Sequence, residues 1–353
     1  MKPKKTIPPR RSTETSPRAR WAAPYEPPAW LPGGHLQTIV TARLTPPPKV
    51  QYRRERWDTP DGQDFIDVDF TQPDVYPDAP LLVMFHGLES CSQSHYARDL
   101  MQTCIERGWL GAVPHFRGCS GELNRLPRAY HSGDSREIDW IVRRFSQLHG
   151  QRPVYLVGVS LGGNAMLKWL GEEAQAAAPL VRSVVAISAP LDLEAGARSL
   201  SKGFNRIYTR MFLKTLVPKT LEKIRRFPGI ADADKVRKSR DFYDFDELVT
   251  APLHGFTSAV QYWRTSASKP WLKNIAVPTL LINARNDPFM PGQYLPSPDE
   301  LSPFVQCFFP EQGGHVGFPQ SGGFPAQLGF LPERVFAWFD DDTAHGHSET
   351  RHG

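Results

Sequence analysis

No stretch of about eighteen consecutive apolar residues occurs anywhere in the 353 residues, so no membrane-crossing helix is expected. The N-terminus also lacks the apolar stretch of a secretory signal, which makes the cytoplasm the default compartment. Cysteine is scarce: Cys91, Cys104, Cys119 and Cys307 stand far apart with no C-x-x-C pair. That spacing argues against a structural zinc site and against a disulfide framework, and the four thiols are expected to be reduced. No internal repeat is visible, which sets aside solenoids and propellers. Acidic residues are nearly missing from the first twenty positions, where Glu14 faces seven lysines and arginines. The tail thus holds a net charge of +6 of the chain's +5, and the rest is close to neutral at −1. A basic segment carrying proline, serine and threonine is expected to be a solvated, disordered extension, so nucleic-acid binding is not expected.

What is present points to one large α/β domain. Proline is plentiful, and its density in the first fifty residues predicts a largely irregular start. Residues 51–57 and 65–70 read as a strand pair joined through Thr59-Pro60-Asp61-Gly62, a turn cluster that fits an antiparallel hairpin. From Pro80 onward short apolar runs alternate with helical spacing, which predicts βαβ units and a mostly parallel sheet flanked by helices. The strands are expected at residues 81–85, 111–116, 154–158, 184–188, 279–284 and 305–309, with helices at 96–107, 134–148, 164–173 and around Val335 to Phe339. Residues 193–269 break the rhythm, being helical and charged, and read as an inserted helical cap. The expected organisation is a basic tail over 1–22, the α/β domain with its cap over 23–340, and a disordered polar tail over 341–353.

Gly158-Val159-Ser160-Leu161-Gly162 lies between an apolar strand and an amphipathic helix, and this placement makes the short G-x-S-x-G pattern informative. A serine on such a turn is lifted out of the sheet and sits at a helix N-terminus, where N–H groups and the dipole favour negative charge. The bland alternative is a glycine-rich turn that happens to hold serine. A serine hydroxyl needs a base within reach and the base needs an orienting acceptor. Past the strand at residue 279 only His315, His345, His347 and His352 remain, and the last three belong to the polar tail. His315, in Gln312-Gly313-Gly314-His315, is the candidate base. Asp287, in Arg285-Asn286-Asp287-Pro288 directly after a strand, is the candidate acid, with Asp192 after the preceding strand as its competitor. The oxyanion of an acyl transfer needs two donors, assigned to the backbone N–H groups of Leu161 and Leu88.

With those residues in view, the chain resembles the YheT-like branch of the α/β-hydrolases. The resembling stretches are His35-Leu36-Gln37-Thr38, Asp64-Phe65-Ile66-Asp67-Val68-Asp69, His86-Gly87-Leu88-Glu89-Ser90, Phe116-Arg117-Gly118-Cys119-Ser120-Gly121, Tyr130-His131-Ser132-Gly133-Asp134, Gly158 through Asn164, Asn286-Asp287-Pro288-Phe289 and Gly313-Gly314-His315. They run in order from about residue 30 to 335. The resemblance implies the α/β-hydrolase fold, a carboxylic-ester hydrolase with a Ser-Asp-His triad on Ser160, Asp287 and His315, and no cofactor.

The expected activity is hydrolysis of carboxylic esters through an acyl-enzyme, with no metal and no organic cofactor, on a small acyl ester, lipid-like esters among the candidates. Acyl transfer or thioester cleavage could use the same triad, and a non-catalytic hydrolase-like binding protein is the rival from another class. Substrate identity and oligomeric state stay open. Arg117 with Asp134, and His131 near them, lie in loops that either reach the mouth of the site or, the favoured reading, are held by a buried ion pair, and His86 is expected to shape the oxyanion loop. His35 has no role that the residues suggest. Arg198, Lys202, Arg206, Arg210 and Lys214 recur every four residues beside Leu200, Phe204, Ile207 and Met211, which predicts one cap helix with a basic stripe next to an apolar one. Either the apolar stripe packs on the domain with the charges in water, or the cap walls the acyl site and its basic stripe attracts anionic lipid surfaces or anionic esters.

Overall fold

The protein is described from a computed structural model, over residues 20–71, 78–320 and 322–345, without the side chains of 342–345. The tail segments 1–19 and 346–353 lie outside the described residues.

Eight strands form one sheet in the order β1-β2-β4-β3-β5-β6-β7-β8. They are β1 (Tyr52–Asp58), β2 (Phe65–Thr71), β3 (Leu81–Phe85), β4 (Leu110–Pro114), β5 (Val154–Val159), β6 (Ser183–Ile187), β7 (Thr279–Ile282) and β8 (Val305–Phe308). The first hairpin is antiparallel and β2 joins β4 antiparallel, while every later pairing is parallel. β3, β5, β6 and β7 are buried along their whole length, which is why they read as unbroken apolar runs rather than alternating ones. One apolar cluster covers each face of the sheet.

The flanking helices are α1 (Gly33–Arg43), α2 (His95–Glu106), α3 (Ser135–His149), α4 (Leu161–Glu173), α5 (Leu193–Leu200), α6 (Arg206–Arg226), α7 (Ala259–Ser266) and the closing α8 (Phe330–His345), with shorter helical turns between α6 and β7. Each expected strand and helix is present, with ends moved by at most three residues, except that the closing helix proves longer than its core residues showed.

Three expectations change. The first fifty residues are not simply irregular, because α1 forms there; its buried residues are Gln37, Thr38, Val40 and Thr41, so it shows no apolar stripe to find. Trp21, placed with the tail by composition, is buried against Trp338 and donates to Asp341 Oδ2 at 2.9 Å; a large indole gains more from burial than the short segment loses in freedom. The basic and apolar stripes do not share one helix, since α5 ends at Leu200 and a turn over residues 203–205 precedes α6. Among the described residues no helix is long and apolar enough to cross a membrane.

Candidate active site

The order β4-β3-β5 places a change of winding direction beside β3 and β5, and such switch points open a crevice outside the carboxyl ends of the strands. Ser160 follows β5 there with φ 52° and ψ −122°, a conformation that strains any residue with a side chain. Its N–H donates to Ile187 O at 2.8 Å, tying the turn to β6. Gly162 allows the bend: a Cβ there would lie 2.4 Å from Phe85 O, inside the neighbouring strand. α4 begins at Leu161, so its first N–H groups open toward the Ser160 hydroxyl.

Ser160 Oγ lies 2.9 Å from His315 Nε2, and His315 Nδ1 lies 2.8 Å from Asp287 Oδ2. Asp287 is buried, and its other oxygen accepts from the N–H groups of Phe289 at 2.7 Å and Met290 at 3.3 Å. The Phe289 ring stacks on the imidazole with centroids 3.9 Å apart. Asp192 is engaged elsewhere: it caps α5, accepting from Ala195 N–H at 3.0 Å. The tertiary structure therefore brings Ser160, His315 and Asp287 together and leaves Asp192 out.

The loop after β3 supplies the facing wall. Gly87 N–H donates to Tyr96 Oη at 2.9 Å and Glu89 N–H to Tyr130 Oη at 2.9 Å, so the amides on both sides of Leu88 are committed to tyrosine hydroxyls. Glu89 has φ 53°, which turns the chain sharply beyond Leu88. His86 is wholly buried; Phe116 N–H donates to its Nε2 at 3.1 Å and its Nδ1 lies 2.8 Å from Gly87 O. Both contacts suit only the neutral ring with the proton on Nδ1, and burial, together with the neighbouring His115, pushes its pKa down to about 3. Its expected part in shaping this loop agrees with that geometry.

A cavity of about 90 Å³ holds Ser160, His315, Leu88 and Leu161, and its remaining wall is mainly apolar, with Leu193, Leu200 and Phe212 on the helical segment between β6 and β7. A second cavity of about 110 Å³ adjoins it across Leu88 and Leu161 and is more polar, including Glu89, His131, Lys219 and His254.

Sequence reasoning missed the support beneath the histidine loop. Gln37 of α1 is fully buried; its Nε2 donates to Leu31 O at 2.9 Å and to Gln312 Oε1 at 3.0 Å, while its Oε1 accepts from Asn286 Nδ2 at 3.0 Å and Gly313 N–H at 2.8 Å. Asn286 Oδ1 accepts from Gly314 N–H at 2.9 Å, and His315 N–H donates to Thr38 Oγ1 at 2.8 Å. One helix thus clamps the loops that carry Asp287 and His315. The approach is close enough that a Cβ on Gly34 would lie 2.0 Å from Asn286 O. The signal in the sequence was polar residues at helical spacing, 37, 38 and 41, the first two inside the first resembling stretch. His35 sits at the rim, its Nδ1 3.1 Å from Tyr208 Oη and its ring edge-on to Phe204.

The expected ion pair is re-partnered. Arg117 is buried and donates to Glu137 and to Asp64 Oδ2 at 2.7 Å, while Asp134 pairs with Arg128. Two carboxylates around one guanidinium give the bidentate geometry that Arg117 needs, and Asp134 lies at the start of α3 where Arg128 reaches it. Among the described residues no group of three or more His, Cys, Asp or Glu side chains could hold a metal ion.

A family model for the alpha/beta hydrolase fold matches residues 80–321. YheT of Escherichia coli (strain K12) is 40% identical over 310 residues, covering 86% of this chain and 89% of that protein. Phospholipase ABHD3 of Homo sapiens is 29% identical over 332 residues, covering 92% of this chain and 80% of its own length. The solved structure of ferulic acid bound to Est1E from Butyrivibrio proteoclasticus shares the fold at a TM-score of 0.54 and 13% identity, over 83% of this chain and 99% of that one.

Proposed function

Because this chain belongs to the α/β-hydrolase family, on its YheT-like branch, we propose that it cleaves carboxylic esters through an acyl-enzyme on Ser160. The observation that carries the proposal is the relay from a strained strand-to-helix serine through His315 to a buried Asp287, with hydrogen-bond distances of 2.9 and 2.8 Å. Ser160 Oγ attacks the carbonyl carbon while its proton passes to His315 Nε2. The Leu161 and Leu88 N–H groups receive the oxyanion, which they stabilise more than the ground-state carbonyl. Collapse of the tetrahedral species breaks the ester C–O bond, and the leaving alkoxide takes the proton from His315. Water then attacks the acyl carbon with His315 as base, and the acid is released with Ser160 restored. Asp287 keeps the proton on Nδ1 and offsets the imidazolium charge.

In this mechanism the helical segment over residues 193–269 acts as a cap. Leu193, Leu200 and Phe212 line the cavity at Ser160, which suits an apolar acyl chain, and the more polar cavity across the oxyanion loop suits the alcohol part. Lipid-like esters are therefore the favoured class, in keeping with the similarity to a phospholipase. A fluorophosphonate probe combined with p-nitrophenyl esters of graded chain length tests the proposal. Labelling at Ser160 and turnover that rises with acyl length support it; labelling at another serine, or none with no turnover, overturns it.

A further inference from the structure

α6 has two faces with different tasks. Tyr208, Thr209 and Leu213 are buried, and the inward rings of Tyr208 and Phe212 pack on Phe289 at centroid distances of 4.8 and 6.0 Å, one step from His315. The opposite side is apolar where solvent would favour polar residues. Ile207 and Met211 are each 44% exposed, and Phe204, in the turn just before α6, is 57% exposed. Single exposed apolar side chains are ordinary on a protein surface. Here the spacing at 204, 207 and 211 gathers three of them on one side.

Lys202, Arg206, Arg210 and Lys214 surround them, all exposed, and none of the four forms an ion pair among the described residues. Arg198, the first member of the expected basic series, is different: it pairs with Glu194. No aspartate or glutamate occurs between Glu194 and Glu222, so nothing on this stretch neutralises the four cations. An acidic protein or a nucleic acid would satisfy the cations and leave the apolar side chains without a purpose. A bilayer bearing anionic headgroups takes both, with the cations at phosphate level and Phe204, Ile207 and Met211 at the acyl boundary.

We propose that the outward face of α6, together with Lys202 and Phe204 before it, docks on an anionic lipid bilayer. The inward face of the same helix walls the cavity at Ser160, so docking would hold the site about one helix diameter, roughly 10 Å, from the lipid surface. The docking stands on the surface itself; its use in delivering lipid esters rests on the esterase proposal above.

The test uses the full chain carrying Ser160→Ala, so that no lipid is consumed, in cosedimentation with phosphatidylcholine vesicles containing phosphatidylglycerol and with pure phosphatidylcholine vesicles. Two variants are compared in that background, Arg206→Glu with Arg210→Glu, and Phe204→Ser with Ile207→Ser and Met211→Ser. Each is expected to lose at least about ten-fold in partition onto the anionic vesicles, and added salt is expected to weaken binding of the parent protein. The serine variant keeps every charge, including the basic residues at the N-terminus, so binding through that segment alone would leave it unchanged and overturn the proposal. Equal partition onto neutral vesicles overturns it too. So does self-association in sedimentation velocity that the serine variant abolishes, since the face would then be a contact between two copies. With Ser160 restored, both variants should hydrolyse a soluble short-chain p-nitrophenyl ester like the wild type. If the wild type hydrolyses no ester while docking persists, the esterase proposal fails and the docking survives.

Discussion

The loops at the carboxyl ends of β3, β5, β7 and β8 face the helical segment between β6 and β7 across the same cavity, and the two sides are held by different means. The loop side stands mainly on β3, β5 and β7, which are buried throughout, and is braced by hydrogen bonds that Gln37 and Thr38 of α1 accept from Asn286, Gly313 and His315, 249 to 277 residues away in sequence. The helical side rests on two small apolar clusters of its own and a third shared with Phe289, on ion pairs at its surface, and on one buried cation. Lys223, near the end of α6, donates to Asn124 Oδ1 at 2.6 Å and to the carbonyls of Leu126 at 2.6 Å, Pro127 at 3.2 Å and Arg128 at 2.8 Å. Burial pulls its pKa down to about 8, yet its four acceptors keep it where it is. In the proposed mechanism, a reacting serine and its base tolerate little displacement, whereas a wall for an acyl chain needs only shape and apolar character. The difference in construction follows that difference in demand.

The comparison breaks outright if removal of a relay residue costs little. Ser160→Ala should abolish probe labelling and ester turnover while leaving the melting temperature near that of the wild type. Asp287→Asn should lower kcat by about ten-thousand-fold, since the imidazole loses both its tautomer and its charge partner. Asp192→Asn should change kcat little, because asparagine caps a helix about as well as aspartate; a reversed pair of results would reassign the acid.

A subtler fracture is open at the clamp. Gln37→Ala touches no substrate, so it should lower kcat and the rate of fluorophosphonate labelling by about ten- to a hundred-fold with KM little changed, because the loop bearing His315 loses its alignment. A rise in KM with kcat intact would show that α1 acts on binding instead. The opposite signature is expected on the helical side. Lys223→Met should cost about 2 kcal/mol in unfolding free energy by stranding buried acceptors, and should raise KM for long-chain esters while kcat on a short ester stays within a few-fold. If it lowered kcat as Gln37→Ala does, the two sides would not be separable.

A further difference concerns pH. His86 ordinarily would titrate near 6.5 and is pushed down to about 3 by burial, with the neighbouring His115 adding to the effect. A depressed folded-state pKa contributes stability that is present above 6.5 and is lost as pH falls from there toward about 3, because the unfolded chain binds the proton first. His86→Gln should melt lower than the wild type at pH 7, where it loses the fit of the ring, yet lose less stability than the wild type between pH 6.5 and 4. Parallel pH profiles of melting temperature would mean that His86 does not supply this slope.

The sequence by itself determined the parts whose signal is local. Unbroken apolar runs marked the buried strands, the glycine-flanked serine between strand and helix marked Ser160, and chain order left His315 as the candidate base, with Asp287 and Asp192 both still open as the acid. Tertiary structure alone decided what depends on neighbours far away in the chain. α1 was hidden because its buried face is mostly polar, Gln37, Thr38 and Thr41 beside Val40, and the burial of Gln37 is tolerable only once Gln312, Asn286 and Gly313 supply its hydrogen bonds. Arg117 could be read as a buried cation, but its partners proved to be Asp64 and Glu137, because several carboxylates were within sequence reach and only packing selects among them. The periodicity around residue 207 showed apolar and basic residues side by side, and spacing cannot say which way a helix is turned. That orientation came from Tyr208 and Leu213 finding the interior, which left Phe204, Ile207 and Met211 outside among the lysines and arginines.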